Sequence, residues 1–175
     1  MHLQPAPLNV TFAAEPVAVG SARHAVADFA ERAGADAGQI EAIRLAVSEA
    51  VTNAIVHGYR SGQGEVLVTA ALAEGEIWVL IGDQGCGMRA HADTPGLGLG
   101  LALIAQMADE MWIAPRAEGG TEIRMRFPLT RARARNRTPV VIRGSLRHGP
   151  TGRGETRFHR HRPRGVALWR TRRPA

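Results

Sequence analysis

Residues 45–59, Leu-Ala-Val-Ser-Glu-Ala-Val-Thr-Asn-Ala-Ile-Val-His-Gly-Tyr, carry two periodicities at once, and that narrows what the chain can fold into. Ile40, Ile43, Val47, Ala50, Val51 and Ala54 recur at helical spacing as one apolar face, so the segment predicts a helix packed on a core. Glu49, Asn53 and His57 lie four residues apart and stack as a second stripe on that helix. Any one of them alone reads as a solvated helix edge. A carboxylate, an amide and an imidazole on consecutive turns, closed by Gly58 and Tyr59, read as a site.

The 175 residues suffice for one domain of ordinary size with a sizeable core. No run of about 18 apolar residues and no basic-then-apolar leader is present, so the expectation is a soluble, cytoplasmic chain with no membrane partner. The single cysteine, Cys86, excludes an internal disulfide and a cysteine-based zinc site. All 22 basic residues are arginine, which removes lysine from any mechanism. Their distribution is uneven. Residues 1–130 hold 8 Arg against 15 Asp and Glu, a net −7, whereas residues 131–175 hold 14 Arg against Glu155 alone, a net +13. An acidic domain therefore precedes a basic tail, with the boundary expected after residue 130.

Alternation over 8–13, 65–72 and 76–82 predicts strands, the last two forming a hairpin that turns at Glu74-Gly75. Helices are expected over 17–33, ended by Gly34, and over 36–57, with Asp36 as N-cap and Gly58 as the stop. A third helix should follow the glycine run 96–100, with Leu101, Ile104, Met107 and Ala108 facing inward. A last hairpin over 111–114 and 121–129 turns at Glu118-Gly119-Gly120. Beyond it only 140–142 reads as a short strand. The order predicts an α+β two-layer sandwich, its mostly antiparallel sheet covered on one face by three helices.

Two glycine motifs follow the second helix. Asp83 stands at a strand end before Gly85 and Gly87, where a carboxylate can accept a hydrogen bond from an exocyclic amine and glycine admits a flat ring or a phosphate. The same residues also fit an ordinary turn leaving a strand. Gly96, Gly98 and Gly100 open a helix, whose free N–H groups favour anions, or else form a hinge. Their order is the stronger signal: a carboxylate–amide helix, Asp-x-Gly-x-Gly, a glycine-rich helix start, then Gly119-Gly120-Thr121 on a strand.

In that order the motifs resemble the GHKL ATPases, the superfamily of histidine kinases, gyrase and heat-shock chaperones. Residues 47–59 are especially similar to the bacterial anti-sigma-factor serine/threonine kinases, and the resemblance runs over about 8–129, including Ser21-Ala22-Arg23 in the first helix. It implies a Bergerat-type ATP-binding fold with ATP and Mg²⁺ as ligands. Asn53 would hold the Mg²⁺ and Glu49 would act as general base. Asp83 would bind the adenine amine with support from the Thr121 hydroxyl, and Gly85, Gly87, Gly98 and Gly100 would shape the lid. Arg23 would contact a partner. The implied partners are a sigma factor, an anti-anti-sigma protein that receives the phosphate, and a second copy of the chain.

The chain departs from that pattern in its lid. Only residues 89–95 separate Met88 from Gly96, and Arg89 is the one basic residue among them. Two readings follow: a protein kinase, and a binding module that uses ATP as a switch without transfer. A third, nucleic-acid binding, rests on the arginine tail alone, because arginine clusters attract phosphate backbones without reading sequence. Disorder ranks above that function for residues 131–175.

Overall fold

The computed structural model describes residues 4–59, 63–86 and 97–130, together with the backbone of a strand at 141–144. Strand β1 (Leu8–Ala13) leads into helix α1 (Pro16–Ala33), which starts with proline in its first turn. The helix stops at Gly34, whose φ of 90° only glycine adopts freely and whose N–H returns to the carbonyls of Ala30 and Glu31. Helix α2 (Ala37–Asn53) opens on a capping box. The Asp36 carboxylate accepts the Gln39 N–H at 2.8 Å, and the Gln39 side chain accepts the Asp36 N–H.

Ala22, Val26, Phe29 and Ala30 of α1 and Ile43, Val47, Ala50 and Val51 of α2 are fully or almost fully buried in one core with the sheet. The sheet runs β2 (Glu65–Ala73), β3 (Glu76–Asp83), β4 (Glu110–Pro115), β5 (Thr121–Pro128) and β6 (Val141–Gly144), in the spatial order β1-β2-β3-β5-β4-β6. All pairings are antiparallel except β4 with β6, which is parallel. Val66, Val68, Ile77, Val79, Ile81, Ile123, Met125 and Phe127 alternate onto the helix-covered face. Helix α3 (Leu97–Met107) completes that layer through Ile104 and Ala105. On the opposite face Trp78 and Trp112 stack with ring centroids 5.5 Å apart, and Arg126 pairs with both Glu76 and Glu110.

The α+β sandwich expected from the pattern is the fold observed. Three details differ. Helix α2 ends at Asn53, and residues Ala54–Gly58 continue as one π-helical turn. Gly58 is therefore not a left-handed stop, since positive φ among the described glycines occurs at Gly34, Gly75, Gly119 and Gly120. Its carbonyl is instead claimed by the Cys86 N–H at 2.9 Å, a tertiary contact that local periodicity cannot announce. Helix α3 begins at Leu97, inside the glycine run rather than after it. Strand β6 is the short strand expected at 140–142, observed at 141–144, and it pairs with β4 although it lies beyond the boundary expected after residue 130. The rest of 131–175 falls outside the described residues, as do Ser61 and Gly62 of the expected turn.

The N-terminus of α2 is tied to the end of β5, because Gln39 Nε2 donates to the Pro128 carbonyl at 2.6 Å and the Thr130 hydroxyl donates to Asp36. Replacing Asp36 with Ala should cost about 1–2 kcal/mol in a urea titration. Ligand affinity at the far end of α2 should be unchanged.

Candidate functional site

The end of α2 carries Glu49 and Asn53, both half-buried and one helical turn apart. Gly100 of α3 faces them. A Cβ at Gly100 would lie 3.0 Å from Glu49 Oε2 and 3.4 Å from both atoms of the Asn53 amide. The missing side chain lets the α3 backbone come down against the carboxylate–amide pair. Asn53 Nδ2 is buried there without a hydrogen-bond partner, an unusual state for an amide.

Across the cleft stands Asp83, at the end of β3 and 5% exposed. Gly85 donates its N–H to Asp83 Oδ1 at 2.9 Å, and the Thr121 backbone N–H also donates to the carboxylate. Burial raises the Asp83 pKa above its ordinary 3.8, and this outweighs the opposing pull of the two N–H groups and of the Arg116 guanidinium. Glycines line its surroundings for a steric reason. A Cβ at Gly58 would meet Asp83 Oδ1 at 3.2 Å, and one at Gly120 would sit 2.1 Å from the Asp83 carbonyl oxygen. Gly120 also has a φ of 87°. The turn before β5 can thus press against the acidic strand end only with glycine there.

Between the two groups runs a cleft floored by Ala50, Ala54, Ile81 and Ile123 and edged by Asn53, His57, Asp83 and Thr121. An apolar floor suits a flat aromatic ring, and a buried carboxylate at its edge suits an amine on that ring. Among the described residues no group of three His, Cys, Asp or Glu could hold a metal alone. Hard oxygen atoms at Glu49 and Asn53 nevertheless match Mg²⁺, which binds through one or two protein ligands plus phosphate oxygens. The orphaned Asn53 amide and the glycine-lined walls fit a nucleotide.

The structure brings together Glu49, Asn53 and Gly100 on one side and Asp83, Gly85 and Thr121 on the other. Gly98 lies in the first turn of α3. Gly87 and Arg89 lie outside the described residues. Arg23, half-buried on α1, does not line the cleft. His57 edges the cleft, and its carbonyl accepts the Cys86 thiol at 3.3 Å. Sequence reasoning assigned no site role to Gly58, Tyr59, Arg116 or Gly120. The Gly-Tyr after the polar stripe and the Gly-Gly before Thr121 were the signals at hand.

This chain belongs to the histidine kinase-like ATPase domain family, whose model matches residues 12–127. It is 31% identical to a serine-protein kinase RsbW of Bacillus licheniformis over 143 residues, covering 73% of this chain and 88% of that one. It is 30% identical to an anti-sigma F factor of the same species, covering 73% of this chain and 95% of the relative. An anti-sigma F factor of Clostridium acetobutylicum is 28% identical over 130 residues, which is 68% of this chain and 91% of that one. Among solved structures, the RsbU and RsbW domains of a Mycobacterium tuberculosis protein superpose with a TM-score of 0.59 at 27% identity. That match covers 81% of this chain and 35% of the longer neighbour. No helix among the described residues is long and apolar enough to cross a membrane.

The glycine argument separates two positions of the same residue type. Gly120→Ala should destabilise the fold by about 1–3 kcal/mol or more, from positive φ and the collision with Asp83. Gly20→Ala, in mid-helix with nothing within 4 Å of the new Cβ, should stabilise it by about 0.5–1 kcal/mol. Chemical denaturation of both variants measures the contrast.

Proposed function

We propose that the chain is an ATP-dependent serine/threonine protein kinase of the anti-sigma-factor type. It would sequester a sigma factor and phosphorylate an anti-anti-sigma protein. The observation that supports this most is the buried Asp83 sharing an apolar-floored cleft with Asn53, one helical turn from Glu49, in a chain similar to an RsbW serine kinase and to anti-sigma F factors. Among the described residues, those that line the cleft all lie before residue 131, which supports a nucleotide-binding unit within residues 1–130, to whose sheet the arginine-rich stretch adds the edge strand β6.

When bound, MgATP supplies the transferable phosphoryl group and the metal charge that neutralises it. The chain's own residues position it. Asp83 accepts a hydrogen bond from the adenine amine, with Thr121 and Gly85 orienting the carboxylate. Ile81 and Ile123 exclude water from one face of the ring. Asn53 Oδ1 would hold the metal. Gly98 and Gly100 bring the start of α3 close enough for its N–H groups to face the phosphates. Glu49, one turn from Asn53, takes the proton of the partner's hydroxyl. Arg23, on the adjacent helix, contacts a protein partner, and a second copy of the chain completes a homodimer.

The second reading, a nucleotide switch without transfer, is favoured by the short 89–95 segment with its single basic residue. Purified protein supplied with labelled ATP, Mg²⁺ and proteins captured from its native cytoplasm tests the choice. Label in a captured protein's serine or threonine supports the kinase. ATP-dependent capture without label supports the switch.

On the kinase reading, Asn53→Ala abolishes MgATP binding in calorimetry. Glu49→Gln retains binding and loses about 10²–10⁴-fold in transfer rate, the usual contribution of a general base. Normal transfer by Glu49→Gln removes Glu49 from that role. The raised Asp83 pKa adds a pH dependence. ATP affinity should fall as pH descends through that raised value, because the protonated carboxyl no longer accepts at both oxygens. The fall should be absent for a purine triphosphate lacking the 6-amino group. Identical pH profiles for the two nucleotides would take the adenine contact away from Asp83.

A further inference from the structure

Three consecutive backbone N–H groups follow Asp83, and each has a named acceptor. Gln84 donates to the Tyr59 hydroxyl at 2.8 Å, Gly85 to Asp83 Oδ1 at 2.9 Å, and Cys86 to the Gly58 carbonyl at 2.9 Å. Two of the three acceptors come from the residue pair that ends the π-helical turn. The Tyr59 hydroxyl in turn donates to the Glu65 carbonyl at 2.6 Å, at the start of β2. Its ring lies against Gly64, where a Cβ would fall 2.0 Å from Tyr59 Cε1. One side chain therefore joins the end of the α2 unit, the start of β2 and the loop behind Asp83.

We propose that Tyr59 is a positioning residue for nucleobase selection: its hydroxyl accepts the Gln84 N–H and, together with the Gly58 carbonyl on Cys86, clasps the 84–86 backbone so that the Asp83 carboxylate is aimed before any base arrives. This rests on the ATP-binding reading above. The clasp occupies the loop's own N–H groups internally, so residues 84–86 serve as a fixed wall beside the base and not as a phosphate cradle. Asp83 Oδ1 is held by Gly85, whose place is fixed on both sides by Gln84 and Cys86. Releasing Gln84 would leave Gly85 anchored only through Cys86 and the carboxylate steadied only by Gly85 and Thr121, which loosens its aim. An acceptor free to turn discriminates poorly between a ring that offers an amine and one that offers a carbonyl.

Tyr59→Phe keeps the ring against Gly64 and removes only the bridging oxygen. ATP affinity should drop about three- to tenfold, the worth of one hydrogen bond, while GTP affinity changes less, so the ATP-to-GTP ratio narrows. A merely structural role would lower the melting temperature and leave that ratio unchanged, which overturns the proposal. Absence of ATP binding in the unmodified protein is a different result, since it removes the ATP-binding reading itself. Amide exchange on the unmodified, nucleotide-free protein supplies a check that needs no variant. The Gln84, Gly85 and Cys86 amides should exchange slowly and as a group. Fast exchange of Gln84 before nucleotide is added overturns a preformed clasp.

Discussion

A carboxylate held out of water at the end of β3 is the constraint on which the rest of the site depends. Asp83 is 5% exposed, and its charge is opposed by burial and supported by two backbone N–H groups and by Arg116. A lone buried anion would be costly, so the elements around it are arranged to face it with donors. This accounts for the glycines at 58, 85 and 120: a Cβ at Gly120 would collide with the Asp83 backbone, one at Gly85 with the Gly58 carbonyl, and one at Gly58 would crowd the Asp83 carboxylate. It also accounts for the π-helical turn, which carries Gly58 and Tyr59 against the loop after Asp83.

The opposite wall depends on a close helix crossing. Glu49 and Asn53 face α3 at Gly100, where hydrogen takes the place of a side chain. Such a contact fixes two polar groups without filling the space in front of them. The cleft therefore keeps its apolar floor of alanine and isoleucine open towards both walls. A rigid α1–α2 pair behind it, packed through Val26, Phe29, Ile43 and Val47, supplies the stiffness that positioning chemistry needs.

Much of this was legible in the residues themselves. Alternation marked β1 to β5, Asp36 as an N-cap marked the start of α2, and the four-residue spacing of Glu49 and Asn53 put them on one helix face. Asp83 could be singled out because it precedes Gly-x-Gly at a strand end. What could not be read shares one cause. The π-helical turn begins within an unbroken helical periodicity, since Ala54 is buried as the next helical position would be. Gly58 looked like a stop because its real partner, Cys86, is 28 residues away. Tyr59 bonds to Gln84, and Arg116 acts on Asp83 from the turn before β5; neither link leaves a trace in local pattern. Contacts between loops distant in sequence are invisible until the sheet order is known.

That sheet order has a consequence for how the chain comes into being. Strand β5 lies between β3 and β4, although β4 precedes it in the chain. A ribosome releasing this polypeptide from its N-terminus presents β3 with one unpaired edge throughout the emergence of α3 and β4. Only when residues 121–128 appear can the central sheet close, and Gly120 and Thr121 arrive with them to cover Asp83. The acidic strand end stays hydrated until the hairpin locks over it. Covering of Asp83 and insertion of the central strand are thus one event, and the edge strand β6 joins the sheet only afterwards.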